Sequence, residues 1–249
     1  MRGHTLTDFD FIIISQSEVT NYKKYASLPL ERLPLFHHLV YPRMIYYEGG
    51  FRSHLDILNK IKYGVYTYEA DDTFRKNLYS IWNLPGFSGI HIAAYLQQYG
   101  ISSYVINNID SQWETFCQIY KSCKKPPLVG LSTTFHLNYS EIKRIIEKIR
   151  RPFPNLETVL GGGFLSTQTT FEHINDLKNV ICKNNITYTL TAFNPEEDIK
   201  QLLLDRKAQR STISEIPNLI YFIKKGDTAS IIQTETIWHD PFLQYTELH

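Results

Sequence analysis

Leu128-Val129-Gly130-Leu131 runs into Ser132-Thr133-Thr134, and further on Glu157-Thr158-Val159-Leu160 runs into Gly161-Gly162-Gly163-Phe164. Each is a short apolar run that gives way to small polar residues or glycine, the pattern of a buried strand ending in a loop. From Asn138 to Arg151, Tyr139, Ile142, Ile145, Ile146 and Ile149 recur at helical spacing, and Pro152 and Pro154 stop that helix. Strand, helix, strand and glycine loop make a βαβ unit, which crosses over right-handed into a parallel sheet. Glycines at a strand's carboxyl end remove the Cβ atoms that would hold a large ligand off the backbone. In open parallel sheets, ligands sit outside those ends.

Working outward, Phe9 to Ile14 reads as the first strand. Ser15 to Ser80 reads as a long, mostly helical insertion, with helices near Leu30–Leu39, Ser53–Tyr63 and Asp71–Trp82 and a turn at Gly49-Gly50. A connection of that length with its own helical pattern points to a lid or docking surface. Asn83 to Gly89 is a turn-forming cluster. The helix after it carries Ile90, Ala93, Ala94 and Leu96 on its apolar face and ends at Gly100. Ser103 to Ile106 is the next strand and Gln112 to Lys121 the next helix. Beyond the glycines, Phe171–Leu177 reads as a weak helix, Val180-Ile181 as a short strand and Tyr188-Thr189-Leu190 as a sheet strand. Pro195–Leu204 reads as a helix with acidic residues at its start, where the macrodipole favours them. Asn218–Ile223 and Ala229–Gln233 flank Lys224-Lys225-Gly226-Asp227 as a β-hairpin packed as an appendage. Trp238 to His249 shows no pattern and reads as a linker. Five strands alternating with helices predict an α/β fold, a flavodoxin-like (Rossmann-like), doubly wound parallel sheet of order 2-1-3-4-5. Residues 1–210 form that domain, with the insertion at 15–80, and residues 211–249 form the hairpin and linker. A ligand is expected over the strand ends near residues 14, 132 and 161.

Composition narrows the function. Hydrophobic residues make up 43% of the 249, enough for a sizeable core. The net charge of +1 and the absence of a charge run argue against a nucleic-acid surface. No apolar run reaches about 18 residues, so no membrane span is expected. The start lacks the apolar core of a signal peptide, and three cysteines (Cys117, Cys123 and Cys182) fit reduced thiols, so a cytoplasmic location is expected.

These residues carry a resemblance. The region from Leu84 to about Leu204 resembles a cobalamin-binding domain of the kind found at the N-terminus of B12-dependent radical SAM enzymes. The usual pattern there is an Asp-x-His-x-x-Gly loop, then Ser-x-Leu, then Gly-Gly. Ser132-Thr133-Thr134 stands at the middle element with Thr in place of Leu. Gly161-Gly162 follows at the family's spacing, and Gly89 lies 43 positions before Ser132, also as in the family. Aligned on Gly89, the loop has Leu84 at the Asp position and Gly86 at the His position, so the lower-ligand histidine and its carboxylate partner are missing. Radical SAM relatives commonly lack that pair and begin this helix with a Pro-Gly-rich turn similar to Leu84-Pro85-Gly86-Phe87-Ser88-Gly89. Ile213 to Gln233 resembles the hairpin that precedes the radical SAM barrel.

The resemblance implies base-off cobalamin without a protein histidine ligand. It implies contacts from Pro85, Gly86, Phe87, Ser88, Gly89, Ser132, Thr133, Thr134, Phe135, Gly161, Gly162, Gly163 and Phe164, with Ser132 bonded to the nucleotide tail. The parent activity would be methyl transfer, with a radical SAM domain or partner protein activating the substrate carbon. That chemistry needs Cys-x-x-x-Cys-x-x-Cys, and this spacing of cysteines builds no [4Fe–4S] site. The chain is therefore expected to be either the N-terminal part of a larger enzyme or a stand-alone B12 module, and no catalytic residue is assigned. Other readings stay open. Gly161 to Gly163 also fits a plain strand-to-helix turn or a phosphate loop. Ser132 and Thr134 fit a helix cap, although Asn138 fits that better. His91 reads as a surface or packing residue, while His136, in the loop after a ligand-facing strand, is better placed to ligate. His37, His38 and His54 lack metal-ligand spacing. Phe9, Phe11, Tyr104 and Phe135 are core residues before they are corrin contacts. The rival function is a flavodoxin-like nucleotide-binding, flavin-binding or signalling module.

Overall fold

The computed structural model describes residues 8–17, 44–67, 69–71, 74, 77–79, 86–134, 139–168, 173–192, 194–210, 212–225 and 228–237. The helix expected near Leu30–Leu39, most of that at Asp71–Trp82, and the readings on Pro85, Phe135, His136 and Trp238–His249 fall outside them. The chain divides into two compact units, residues 1–18 with 85–249, and residues 19–84.

In chain order the elements are β1 (Phe11–Gln16), β2 (Met44–Tyr47), β3 (Gly50–Ser53), α1 (His54–Tyr63), α2 (Phe87–Gln98), β4 (Ser103–Asn108) and α3 (Trp113–Ser122). Then come β5 (Leu128–Ser132), α4 (Tyr139–Arg150), β6 (Thr158–Gly161), α5 (Gly163–Thr167), α6 (Ile174–Lys183), β7 (Tyr188–Leu190), α7 (Glu196–Ala208), β8 (Leu219–Lys225) and β9 (Thr228–Gln233).

The first unit is built on one sheet of order β4-β1-β5-β6-β7-β8-β9. The first five strands are mutually parallel, and counted along the chain they stand in the expected order 2-1-3-4-5. Strand alternation sorts the core into two layers. Ile12, Ile14, Leu131 and Leu160 face one side, against Phe116 of α3, Ile142, Ile145 and Ile149 of α4, and Ile181 of α6. Phe11, Ile13, Leu128, Val159 and Leu190 face the other, against Leu96 of α2 and Ile199, Leu202 and Leu203 of α7. Helices on both faces make the sheet doubly wound. Each fully buried isoleucine of α4 contributes about 1.5–3 kcal/mol of burial free energy, so α4 is held by its apolar stripe.

Several expectations need correction. The hairpin β8–β9 is not an appendage. β8 pairs antiparallel with β7 through Tyr188↔Tyr221, Thr189↔Ile220 and Leu190↔Leu219, and β9 pairs with β8, so the sheet has seven strands instead of five. Without β8, the free edge of β7 would present unpaired main-chain groups beside a buried core. Val180-Ile181 is helical, because Leu177 and Ile181 stand one turn apart in α6 and both are fully buried. α2 buries Gly89 and Leu96 with Ile92 and Ala93 packed beside them, while Ile90 and Ala94 face outward.

The second unit mixes strand and helix where a mostly helical insertion with a turn at Gly49-Gly50 was expected. β2 and β3 form an antiparallel hairpin whose turn residues Glu48 and Gly49 both have positive φ, 47° and 75°, as a two-residue hairpin turn requires. Ser53 caps α1 by accepting from Asp56 N at 3.1 Å, and Gly64 at φ 77° ends it. Buried Asn59 ties α1 to Tyr79, donating to Tyr79 O at 2.9 Å and accepting from Tyr79 N at 2.7 Å.

Two outcomes test this packing. A Cβ at Gly130 would lie 2.8 Å from Cε2 of Phe11, so Gly130→Ala should cost about 1–3 kcal/mol by overpacking, and Phe11→Leu in the same chain should recover part of it in denaturant unfolding. Burial by itself raises the pKa of Asp110, but Arg144 and Lys148, the latter at 2.7 Å, outweigh it and hold the carboxyl below its usual range. A depressed folded pKa contributes stability above the unfolded value of about 3.9 and loses it as pH falls through the folded one. Unfolding measured across that acid window should therefore show a steeper loss of stability in the wild type than in Asp110→Asn.

Candidate functional site

β1 lies between β4 and β5, and the helices that follow β1 and β5 cover opposite faces: α2 returns on the Phe11 side, α4 on the Ile12 side. This is the topological switch point, where crossovers diverge and leave a crevice at the carboxyl ends of the strands. The strand ends there are Ser15, Gln16 and Ser17 from β1, Asn107 and Asn108 from β4, Ser132 to Thr134 from β5, Gly161 to Gly163 from β6, and Thr191 and Ala192 from β7. Among the described residues, none of these side chains is ionisable.

The ends of β5 and β6 are locked together by Thr133. Its N–H and its hydroxyl both donate to Gly161 O, at 2.7 and 2.9 Å, and Oγ1 accepts from Leu165 N at 3.4 Å. Thr133 is fully buried, so its side chain is committed to the fold. Gly162 has φ 110° and ψ 174°, a region open essentially to glycine alone. A Cβ there would stand 2.9 Å from both Thr133 N and Thr134 Oγ1. The space beside the Gly162 Cα is taken by the backbone and side chain of Thr133–Thr134. Gly163 differs: nothing lies within 4 Å of its Cβ position, and Gly161 meets only Leu190, with Cβ at 3.8 Å. Ser132 is half-buried, with Oγ 3.2 Å from Thr134 Oγ1. Phe164 packs edge-on against Tyr139, ring centroids 5.2 Å apart, as part of the core margin.

Gly86 and Gly89 are also packing glycines. A Cβ on Gly86 would come 2.5 Å from Ser15 Cβ, and one on Gly89 would overlap Ser15 Oγ and lie 3.2 Å from Val105 Cγ1. Their lack of a side chain lets the first turn of α2 press onto β1 and β4. Asn107 Oδ1 accepts from Gly86 N. Ser15 Oγ is buried and finds no hydrogen-bond partner among the described residues. Phe87 and Ser88, in the same turn, face outward, Phe87 at 84% exposure. The sequence flagged the glycines but not their common partner, because Ser15 stands far away along the chain.

Ionised groups stand beside the strand ends instead of among them. Asp110, just past β4, is held by Arg144 and Lys148. His91 lies half-exposed on α2 with Nε2 3.4 Å from Glu196 Oε1. The same seam between α2 and α7 continues with Tyr95 OH donating to Glu197 Oε2 at 2.7 Å and Lys200 over the ring of Tyr99 at 4.4 Å, so His91 belongs to helix packing. Burial, reinforced by Glu197, raises the Tyr95 pKa far above its usual value. Phe11 and Phe9 lie at the amino end of β1, Phe9 against Tyr104 at 5.3 Å, and act as core. Among the described residues no three His, Cys, Asp or Glu side chains are placed to hold a metal ion, and no helix is long and apolar enough to cross a membrane.

The geometry separates the glycines experimentally. Gly162→Ala should lose about 1–3 kcal/mol of unfolding free energy from backbone strain alone, whereas Gly163→Ala should stay within about 0.5 kcal/mol of wild type; equal losses in urea titrations would contradict the assignment. No family model, no curated protein and no solved structure matches the chain.

Proposed function

We propose that the first unit is a cobalamin-binding module of the type that serves B12-dependent radical SAM methyltransferases, with the cofactor over the carboxyl ends of β1, β5 and β6. The observation that carries this reading is the character of that edge: hydroxyls, carboxamides and glycines, with no ionisable side chain among the described strand ends. A phosphate-rich nucleotide favours cationic side chains beside its phosphates, and among the described strand-end residues there is none. A large neutral macrocycle fringed with amides matches hydroxyl and carboxamide partners. The hydroxyls and carboxamides on the described part of that edge suit binding better than general acid–base catalysis.

Ser132 Oγ is the hydroxyl best placed for a ligand, since Thr133 is consumed by the fold. Gly163 leaves the open approach, and exposed Phe87 and Ser88 flank the β1 side. Bound cobalamin would supply methyl-transfer chemistry at cobalt, and the protein's part would be to hold and orient it. Methylation would further require a radical-generating domain or partner, because Cys117 and Cys123 lie in and just after α3 while Cys182 lies in α6.

The chain incubated with hydroxocobalamin and passed through gel filtration should retain about one equivalent, in keeping with one concave site per domain. Gly163→Leu should weaken retention at least about tenfold, or 1.4 kcal/mol, with unchanged circular dichroism. A colourless protein that instead retains flavin mononucleotide would replace this reading with the flavodoxin-like nucleotide carrier.

A further inference from the structure

α2 carries no cap of its own. Its N-cap residue is Gly86, which has no side chain to bond the first amides, and its first turn holds no acidic residue. A helix start is ordinarily secured by Ser, Thr, Asp or Asn at that position. Here the turn hangs on Gly86 from both sides. Gly86 O accepts from Gly89 N at 3.1 Å and from Ile90 N at 3.3 Å, and Gly86 N donates to Asn107 Oδ1.

Asn107 reaches that amide from the sheet. Ile13 pairs with Val105 and Ile14 with Ile106. Alternation therefore sets Ser15 and Asn107 on the face that α2 covers, the face of Ile13 and Val105. Ser15 lies beneath the turn and leaves no room for a Cβ at Gly86 or Gly89. Its packing fixes how near α2 comes to β1, but it supplies no direction, because Ser15 Oγ bonds to no described residue. The bond from Gly86 N to Asn107 is directional, and it is made where the chain enters the helix. The neighbouring carboxamide is committed elsewhere, since Asn108 Oδ1 accepts from Asp110 N at 2.9 Å. Phe87 and Ser88 follow Gly86 directly and are exposed, so the entry angle of α2 decides where they stand beside the crevice.

We propose that Asn107 is a positioning residue for the crevice: it acts on a bound ligand through Gly86 and the first turn of α2, not by touching the ligand. The inference rests on the reading of the crevice at the ends of β1 and β5 as the binding site. It holds for either ligand considered above, because the turn flanks the crevice whatever fills it. Positioning needs an acceptor for Gly86 N, which Asp supplies as Asn does, and the macrodipole favours a carboxylate at a helix start. A hydrogen bond from Asn107 to a ligand acceptor would need the Nδ2 donor, which Asp lacks.

The probe is hydroxocobalamin, or flavin mononucleotide if the wild-type chain retains that instead. Asn107→Ala should weaken retention roughly three- to tenfold, the scale of one hydrogen bond, with native circular dichroism, and Asn107→Asp should recover most of the loss. In the ligand-free chain, hydrogen exchange at the amides of Gly86, Gly89 and Ile90 should be faster in Asn107→Ala and return towards wild-type rates in Asn107→Asp. If Asn107→Ala loses its native circular dichroism, Asn107→Ser, whose hydroxyl falls one bond short of the amide, takes its place with the same expected pattern. Weakened retention with unchanged exchange would make Asn107 a direct contact. Unchanged retention in the alanine variant would leave α2 held by the packing on Ser15 alone. Either result overturns the proposal while the wild type still binds. A wild-type chain that retains neither probe overturns the reading of the crevice itself, and the positioning role with it.

Discussion

All six residues of β1 are buried, with helices on both faces. Away from water every main-chain donor and acceptor needs a partner, so β1 requires a strand on each side. β4 and β5 fill those places in parallel register, Ile13 standing between Val105 and Gly130. Parallel neighbours cannot be joined by a tight turn, and each must be reached through a crossover. The crossovers supply the helices that bury β1, so the pairing requirement and the burial that creates it support one another. Gly130 shows how closely the layer is packed: the Phe11 ring lies where its side chain would be.

The same divergence of crossovers opens the crevice, and it explains why so few of the small residues there are free to meet a ligand. Gly86 and Gly89 are small because Ser15 lies beneath α2, and Gly162 because the Thr133–Thr134 backbone lies against it. Thr133 spends its hydroxyl joining β5 to β6. Among the described residues, Ser132, Gly163 and the exposed first turn of α2 keep open space beside them. Glycine at a strand end thus carries two distinct meanings, close approach by the chain itself or by something else, and only the neighbours of each Cβ position tell them apart.

β8 and β9 change the character of the sheet. By covering β7 they pair the free side of the last parallel strand and bury Leu219, Ile220 and Tyr221. Buried Asn218 fastens the start of β8 to α7, its Nδ2 3.1 Å from Asp198 Oδ2, while its Oδ1 accepts from Ile237 N at 2.9 Å. The unpaired edge is thereby transferred outward, from a short strand between buried layers to β9, a longer uncharged strand.

The amino-acid sequence by itself determined the features set by local period and turn chemistry. The isoleucine spacing of α4, the apolar runs of β1, β5 and β6, and the strand-helix alternation that implies order 2-1-3-4-5 are all carried by residues within a few positions of one another. The glycines and Ser132 could be marked as a strand-end cluster for the same reason. Only the tertiary structure decided that Val180 and Ile181 belong to a helix, that Met44 to Ser53 forms a hairpin, that β8 joins the sheet, and that Gly163 rather than Gly162 has open space around it. Each of these depends on pairs remote along the chain, such as Tyr188 with Tyr221, Thr133 with Gly162, or Ser15 with Gly89. Local periodicity carries no signal of such contacts, because they form only when separate elements meet.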